Sequence, residues 1–366
     1  MTQAPKFGRF FLPGPTEVHP DVLAAQAQPM IGHRGQAIQE LMGRIGEGLK
    51  PVFQSERPVV VSTSSATGLM EAAVRNAVPP GGKTLCLVNG SFSDRFAEIV
   101  QMCGRTADIW DVPWGGAHSP DELTGRLAGG GYDAVTLSQS ETSTGALQDL
   151  EAIAAVVAED PTALLLVDSV TGIGGVRTLT DEWRVDFILT GSQKALALPP
   201  GLAFAAASDA MLARARSIPD RGWYFDLDQL YDQLEERQTP ATPALSLLYA
   251  LDLQLSRITE EGIEARWQRH LAMQQRTFEW VAEKSDGGVE VGVFAAEGHR
   301  SPTVTCVTMP GGGSGPAVVK EMKSRGWVIG SGYGKLKDST IRIGHMGDHT
   351  VEELDRLLDE LGEVLG

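Results

Sequence analysis

The sequence has little cysteine, a deficit of positive charge and no long apolar run. Its three cysteines, Cys86, Cys103 and Cys306, lie far apart in the chain, so we expect neither a metal site nor a redox pair. Lys and Arg number 31 against 47 Asp and Glu, and the net charge of -16 opposes binding to nucleic acid. Without a membrane-length apolar stretch or a signal region, the sequence predicts a cytoplasmic protein with no membrane partner.

Short apolar runs alternate with helical stretches through the first two thirds of the chain. Residues 36–53 carry apolar side chains at helical spacing and predict a helix before the first run. Continuous apolar strands separated by helices predict an α/β fold, with a large and mostly parallel sheet covered on both faces. The predicted strands are Pro58–Ser62, Thr84–Asn89, Asp133–Ser138, Ala163–Val170, Phe187–Thr190 and Leu202–Ala207.

The pattern changes near residue 245. A proline-containing segment, Gln238–Pro243, is followed by a long helical region that reaches about residue 284. After it, strand and helix patterns alternate, at 303–309, 316–326, 341–344 and 350–365. We therefore predict a large domain of residues 1–245 and a smaller α+β domain of residues 246–366.

Polar residues follow the predicted strands, where ligands collect in parallel sheets. After the first strand, Ser62–Gly68 opens a helix with small and hydroxyl residues, which suits a phosphate but equally suits a simple helix cap. After the second, Phe92 is compatible with stacking on a planar ring or with a place in the core. After the third, Ser140–Gly145 is compatible with contacts to a ligand oxygen or with a turn.

The next two strand ends carry the strongest indication of chemistry. Asp168 ends a wholly apolar strand, and a buried carboxylate there needs a partner. A protonated pyridine nitrogen would be such a partner; alternatively, Asp168 only caps a helix. Lys194 follows the fifth strand and precedes an apolar stretch that would lower the pKa of its amine. Such a lysine can hold a carbonyl cofactor as a Schiff base and act as a base once freed.

These residues together resemble those of a known family. The segments that carry the resemblance are Leu12–Thr16, Glu141–Gly145, Val167–Val170, Gly191–Leu196 and Ile341–Gly344, in that order. The chain is similar over nearly its whole length to the class V, fold-type I aminotransferases that use pyridoxal phosphate. Within that family it looks most like the alanine–glyoxylate and serine–pyruvate aminotransferases.

The resemblance implies a role for each matching residue. Lys194 looks like the Schiff-base lysine and Asp168 like the partner of the pyridine nitrogen. By the same resemblance, the cofactor-binding residues are Ser65, Ala66, Thr67, Phe92, Thr142, Asp168, Gln193, Lys194 and Thr242, the last contributed by a partner subunit. The substrate-binding residues are Arg342, which holds the carboxylate, with Gly14, Pro15, His33 and Arg34 from an N-terminal segment, residues 1–35. The glycine-containing segment 331–336, just before Arg342, looks like a mobile loop near the substrate.

The resemblance also implies the reaction. We expect ping-pong transfer of an amino group from alanine or serine to glyoxylate or pyruvate, in a homodimer with its active site at the interface. A phosphoserine aminotransferase is the main alternative; it would need extra cations, for which His33, Arg34 and Lys335 are candidates. A cysteine desulfurase would need a reactive cysteine on a mobile loop, and a non-catalytic scaffold would not need Lys194, Asp168 and Arg342 together.

Overall fold

The structure, a computed structural model, describes residues 6–309, 311 and 313–366. Within them the strands are β1 (Phe10–Phe11), β2 (Val59–Ser62), β3 (Lys83–Val88), β4 (Thr106–Asp111), β5 (Ala134–Ser138), β6 (Ser140–Glu141), β7 (Ala146–Leu147), β8 (Leu164–Asp168), β9 (Phe187–Gly191), β10 (Ala203–Ala207), β11 (Gly292–Val293), β12 (Thr305–Thr308), β13 (Val328–Ser331) and β14 (Thr340–Ile343). The helices are α1 (Pro20–Ala25), α2 (Gln36–Phe53), α3 (Ala66–Ala77), α4 (Ser91–Met102), α5 (Pro120–Ala128), α6 (Leu150–Val157), α7 (Asp209–Ser217), α8 (Leu227–Glu235), α9 (Leu245–Glu261), α10 (Ile263–Asp286), α11 (Gly315–Ser324) and α12 (Val351–Leu365). Within the same ranges, no helix combines the length and the apolar character needed to cross a membrane.

The large sheet is mostly parallel, as the alternation of apolar runs and helices predicts. Among the described residues its strands lie in the order β2-β10-β9-β8-β5-β3-β4, and β10 alone runs antiparallel to its neighbours. Every residue of β2, β5, β8, β9 and β10 is buried, because helices cover both faces of the sheet. The predicted α/β class, with a large and mostly parallel sheet covered on both faces, is therefore confirmed.

Alternate side chains of the strands enter two separate cores. In β2, for example, Val59 and Val61 pack with the helices α2, α5, α6 and α9, whereas Val60 faces the helices α3, α4, α7 and α8. This alternation follows from the two-residue period of a strand. Both faces of the sheet are therefore covered by helices. Polar residues of the strands can reach a ligand only where the strands end.

The smaller sheet combines the two ends of the chain. Its order is β1-β13-β14-β12-β11, and its core is formed with side chains from α10, α11 and α12. Phe10 and Phe11 of β1 pair in parallel with Val328 and Ile329, which brings the N-terminal segment to the C-terminal sheet. The helix α9, just beyond residue 245, packs in the core of the large sheet against α2. The division into residues 1–245 and 246–366 stays a prediction.

Some elements lack the sequence pattern that would predict them. The edge strand β4 has mostly exposed or half-buried side chains, so no apolar run identifies it. The helical region after residue 245 is two helices rather than one, because Gly262, with a φ of 81°, ends α9. The strands β1, β6, β7 and β11 have only two residues each, too few for a periodic pattern.

Candidate active site

A cavity of about 310 Å³ lies at the carboxyl ends of the large sheet's parallel strands. It brings together ten of the residues predicted for the site: Gly14, Pro15, Ser65, Ala66, Thr67, Phe92, Thr142, Asp168, Gln193 and Lys194. Met70, Arg95, Val170, Thr171 and Pro200 complete its lining. Residues far apart in the chain therefore share one concave site, the arrangement expected of an active site in an open α/β sheet.

Lys194 lies in the turn that follows β9 and is only 8% exposed. Its Nζ donates a hydrogen bond to the Pro13 carbonyl at 2.5 Å. Burial, together with the nearby charge of Arg342, lowers the pKa of the amine to about 8. A larger fraction of this amine is therefore neutral and nucleophilic near pH 7 than of an ordinary lysine.

The N-terminal segment is attached to the Lys194 turn by two hydrogen bonds of Thr16. Thr16 N donates to the Gln193 carbonyl at 3.0 Å, and Thr16 Oγ1 donates to the Lys194 carbonyl at 3.0 Å. Gly14, with a φ of 104°, lies so close to Lys194 that a Cβ there would overlap the lysine side chain. Any other residue would strain the backbone at this φ and displace the end of the lysine side chain, so glycine is favoured here.

Asp168 ends β8 and is 4% exposed. Its Oδ2 accepts a hydrogen bond from Ser138 Oγ at 3.0 Å, and its Oδ1 accepts one from Val170 N at 2.9 Å. Burial raises the pKa of the carboxyl to about 6, against the opposing effect of these two donors. Asp168 is thus a carboxylate whose burial cost is only partly offset, and a cationic ligand group would stabilise it.

The N-terminus of α3 faces the same cavity. Ser65 is its N-cap residue, yet no side-chain hydrogen bond caps the helix. The first backbone N–H groups of a helix lack intrahelical acceptors, and the helix dipole makes this end positive. Ser65, Ala66 and Thr67 therefore form a cradle that suits a phosphate, and Gln193 lies beside it in the cavity lining.

Phe92 lies in the first turn of α4, with the centre of its ring 6.0 Å from Lys194 Nζ. The buried carboxylate of Glu141 holds this turn in place. It accepts hydrogen bonds from the backbone N–H groups of Phe92 and Ser93 and from the Ser93 and Ser143 hydroxyls. A carboxylate at a helix N-terminus is favourable because it pairs with the free N–H groups and the dipole. Glu141 thus positions Phe92 without entering the cavity itself.

We expect Glu141→Gln to destabilise the protein by about 1–3 kcal/mol, because an amide cannot accept all of these hydrogen bonds. Urea unfolding gives the free energy of unfolding and checks the value. Glu151→Gln, at an exposed position in α6, is the control and is expected to change the stability by less than about 0.5 kcal/mol. Equal losses in both variants would contradict the role of Glu141.

Arg342 lies beside the cavity rather than in its lining. Its Nε donates to the Ser331 carbonyl at 2.9 Å, and its Nη1 donates to the Thr142 carbonyl at 3.2 Å. The Thr142 hydroxyl in turn hydrogen-bonds the Thr171 hydroxyl. These contacts orient the guanidinium while leaving some of its five N–H donors without a protein partner among the described residues.

Besides Arg342, three further predicted residues lie outside the cavity of the single chain. Arg34 is exposed and donates to the carbonyls of His33 and Pro240. Thr242 is exposed and lies in a separate groove with Trp223 and Tyr224. The roles of His33, Arg34 and Thr242 therefore stay predictions. The segment 1–35 that was predicted to contact substrate includes residues 1–5, which lie outside the described residues.

The sequence interpretation missed Glu141 as a helix cap, as well as Arg95 and Thr171. Glu141 lies within, and Thr171 directly after, a motif on which the resemblance is based, so both could have been considered as site residues from the sequence. Arg95 could have been found from its spacing, since it lies three residues after Phe92 on the same helix and thus on the same face. Tyr333 lies in the segment 331–336, which was expected near the substrate, but no local pattern predicts its contact with Phe92.

Comparison with known proteins identifies the family to which this chain belongs. The model of the aminotransferase class-V family matches residues 19–357. The chain belongs to the class V aminotransferases. It is a pyridoxal-phosphate-dependent transaminase, and the buried Lys194, the buried Asp168 and the uncapped helix at Ser65 fit an aldehyde, a pyridine nitrogen and a phosphate.

Individual relatives of this aminotransferase support the same family. An uncharacterised aminotransferase of Methanocaldococcus jannaschii is 38% identical, over 92% of this chain and 87% of the relative. The serine–glyoxylate aminotransferase of Methylorubrum extorquens is 31% identical, over 95% of this chain and 88% of the relative. The crystal structure of alanine–glyoxylate aminotransferase from Nostoc superimposes with a TM-score of 0.93 at 32% identity, over 100% of this chain and 96% of that one.

Proposed function

We propose that this class V aminotransferase transfers the amino group of alanine or serine to glyoxylate or pyruvate in a ping-pong reaction. The observation that carries the proposal is the meeting of buried Lys194 and buried Asp168 in one small cavity, with Arg342 beside it. The names of the relatives from Nostoc and Methylorubrum, which pair alanine and serine with glyoxylate, support this choice of substrates.

Pyridoxal phosphate, when bound, supplies an aldehyde that carries the amino group and a ring that accepts electrons from the Cα–H bond. Lys194 would hold it covalently until the donor amine arrives. The freed Nζ, whose pKa burial lowers to about 8, would then take the proton from the donor Cα and return it later. Asp168 would stabilise the protonated pyridine nitrogen, because its carboxylate is buried and forms no ion pair with another described residue.

The remaining cavity residues would hold the cofactor in place. The N-terminus of α3, at Ser65, Ala66 and Thr67, would bind the phosphate together with Gln193. Phe92 would stack on the ring, and Thr142 would lie beside the ring hydroxyl. Gly14 and Pro15 would face the substrate, since hydrogen bonds from the backbone and side chain of Thr16 attach their segment to the Lys194 turn.

Arg342 would bind the carboxylate that every α-amino and α-oxo acid shares. A planar guanidinium can donate two parallel hydrogen bonds to a carboxylate, which a lysine ammonium cannot. The hydrogen bonds to Ser331 and Thr142 would hold it at the edge of the cavity for this purpose. One arginine then serves both half-reactions, because donor and acceptor present the same group.

We therefore expect Arg342→Lys to lower kcat/KM by roughly 10- to 100-fold for every amino and oxo acid. The cause is the loss of a paired hydrogen bond, so the larger part of the change should be in KM. Steady-state kinetics measures it. Arg325→Lys is the control, because Arg325 lies outside the cavity and pairs with Glu360 and Glu363. If the variant has the same KM as the wild type, Arg342 does not bind the substrate carboxylate.

We also infer that two subunits share the site. Thr242 is exposed beside Trp223 and Tyr224, which are 61% and 45% exposed, so this groove is a suitable surface for a second copy. In a dimer, Thr242 would contact the partner's phosphate group, and His33 and Arg34 would lie near the neighbouring subunit. Analytical ultracentrifugation of the wild type and of Trp223→Ala tests this, and a monomeric wild type would contradict it.

The other activities of this fold have less support. All three cysteines are buried, and burial raises the pKa of Cys86 and of Cys306 to about 11, so neither is a reactive thiolate. For a phosphoserine aminotransferase, Lys335 is not in the cavity lining; its Nζ lies 4.0 Å from the ring centre of Trp114. His33 and Arg34 also lie outside the cavity.

The experiment that tests the proposed function is a single half-reaction followed by absorbance. The protein, loaded with pyridoxal phosphate, is mixed with alanine, serine or O-phosphoserine, and loss of the absorbance of the covalently bound cofactor is timed. Conversion by alanine or serine, reversed by glyoxylate or pyruvate, is the expected result. Conversion by O-phosphoserine alone would contradict the substrates proposed and favour the phosphoserine enzyme.

A further inference from the structure

Arg95 is a cation of the cavity for which the reaction described above has no use. It lies one turn after Phe92 on α4 and lines the cavity. Its Cζ lies 4.9 Å from the ring centre of Phe92, and its Nη2 donates to the Tyr333 hydroxyl at 3.1 Å. Within the described part of the chain, that neutral hydroxyl is its hydrogen-bond partner and no carboxylate forms an ion pair with it. Most of its N–H donors are thus available to a ligand.

Tyr333 connects Arg95 to Arg342. The Tyr333 ring stacks on Phe92, with 5.2 Å between the ring centres, and the Arg342 Cζ lies 5.3 Å from the Tyr333 ring centre. Two guanidinium groups therefore contact one tyrosine side chain at the same side of the cavity. An amino acid with a single carboxylate needs only one of them, and Arg342 already has this role in the proposed function.

The segment that carries Tyr333 is fixed against the large sheet's helices. A Cβ at Gly334 would come within 2.7 Å of Ser91 Oγ on α4, so this backbone lies in direct contact with the start of that helix. The Ser331 carbonyl accepts the hydrogen bond from Arg342. The backbone beside Tyr333 is therefore packed against α4, and the tyrosine side chain, although 36% exposed, contacts Phe92, Arg95 and Arg342.

We propose that Arg95 and the Tyr333 hydroxyl form a subsite for an anionic group at the far end of the substrate side chain, a proposal that rests on the proposed function for its substrate class. The enzyme would then accept amino or oxo acids with a second carboxylate or a phosphate, besides alanine and serine. Arg342 binds the α-carboxylate, and Arg95 donates charge-assisted hydrogen bonds to the distal anion. The Tyr333 hydroxyl donates a further one, since it accepts from Arg95 and keeps its own proton.

The test compares donors in the holoenzyme and in two variants, Arg95→Gln and Tyr333→Phe. The quantity measured is kcat/KM for aspartate, glutamate and O-phosphoserine, each divided by kcat/KM for alanine in the same variant. This ratio cancels any effect that is common to all donors. Arg126→Gln is the matched control, because Arg126 also lies over an aromatic ring, 4.5 Å from the centre of Trp110, but outside the cavity.

We expect Arg95→Gln to lower the ratio for the preferred acidic donor by roughly 10- to 100-fold, as the loss of charge-assisted hydrogen bonds implies. Tyr333→Phe should lower it less, by about 3- to 10-fold, and Arg126→Gln should leave it unchanged. The donor with the highest ratio in the wild type shows whether the subsite prefers a distal carboxylate, as in aspartate and glutamate, or a distal phosphate, as in O-phosphoserine. Ratios that are equal in the wild type and Arg95→Gln would overturn the subsite.

A binding measurement separates the subsite from the reaction. Succinate has two carboxylates and no amino group, and acetate has one carboxylate; calorimetry gives the affinity of each for the wild type and for Arg95→Gln. We expect succinate to bind more tightly than acetate, with an advantage that Arg95→Gln removes. If the subsite exists but no amino acid reacts, the succinate advantage remains and the proposed function alone fails. If alanine reacts but succinate has no advantage, the subsite alone fails.

Discussion

Lys194→Met should abolish transamination, with a loss in kcat of at least about 10⁴-fold. Methionine has a similar length and no amine, so the variant can neither hold the cofactor covalently nor move the Cα proton. Because Lys194 is buried with its pKa lowered to about 8, replacing it with an apolar side chain also removes a desolvated cation. We therefore expect the apoprotein to fold, and to unfold at an equal or higher urea concentration than the wild type.

Mass spectrometry after borohydride reduction is the decisive measurement for this variant. Wild-type protein should retain the cofactor on the peptide that contains Lys194, and Lys194→Met should retain none. Lys83→Met is the control, because Lys83 lies at the amino end of β3, away from the cavity, and pairs with Asp108. Covalent retention by Lys194→Met, or kcat within tenfold of the wild type, would disprove the catalytic assignment.

Asp168→Asn should reduce kcat by roughly 10²- to 10⁴-fold and at the same time stabilise the apoprotein. Asparagine keeps the shape and can still accept the hydrogen bond from Val170 N, while its amide can donate to the Ser138 hydroxyl. It has no negative charge to hold the pyridine nitrogen in its protonated form. Asp186→Asn is the matched control, since Asp186 is also a partly buried carboxyl with a raised pKa but lies outside the cavity.

The stabilisation by Asp168→Asn should depend on pH. Burial raises the pKa of Asp168 from its ordinary value of 3.8 to about 6, so the folded state holds the proton more tightly than the unfolded state. The resulting stability is fully present at low pH and is lost as the pH rises through about 6. From pH 5.5 to 7.5, the wild-type apoprotein should lose on the order of 1 kcal/mol relative to the variant. Urea unfolding at both pH values measures this, and a constant difference would show that the carboxyl is ionised throughout.

The fold could be predicted from the sequence where local patterns carry it. Strands such as β8 and β9 are wholly buried, so their apolar runs are unbroken and their ends are visible in the sequence. The edge strand β4 could not be predicted this way, because half-exposed positions there accept polar residues such as Thr106 and Asp108. The pairing of β1 with β13 is a contact over more than 300 residues, and no local pattern encodes it.

The site was predictable to the extent that each residue follows a strand. Asp168 and Lys194 are charged residues at the ends of apolar strands. Burying a charged side chain costs free energy unless it has a partner or a function, so these two residues could be singled out from the sequence. The roles of Arg342 and Phe92 came from the resemblance, since neither residue is unusual by itself. Those of His33, Arg34 and Thr242 stay predictions, as they depend on a neighbouring subunit.

The sequence by itself determined the class of fold and the chemistry, because apolar periodicity and the cost of burying charge act along short stretches of chain. The tertiary structure decided which side chains meet. It brought the N-terminal Gly14 onto Lys194, put Glu141 under the first turn of α4, and placed Tyr333 between Arg95 and Arg342. Such contacts depend on how the sheets and helices pack, and packing distances between remote segments leave no periodic trace in the sequence.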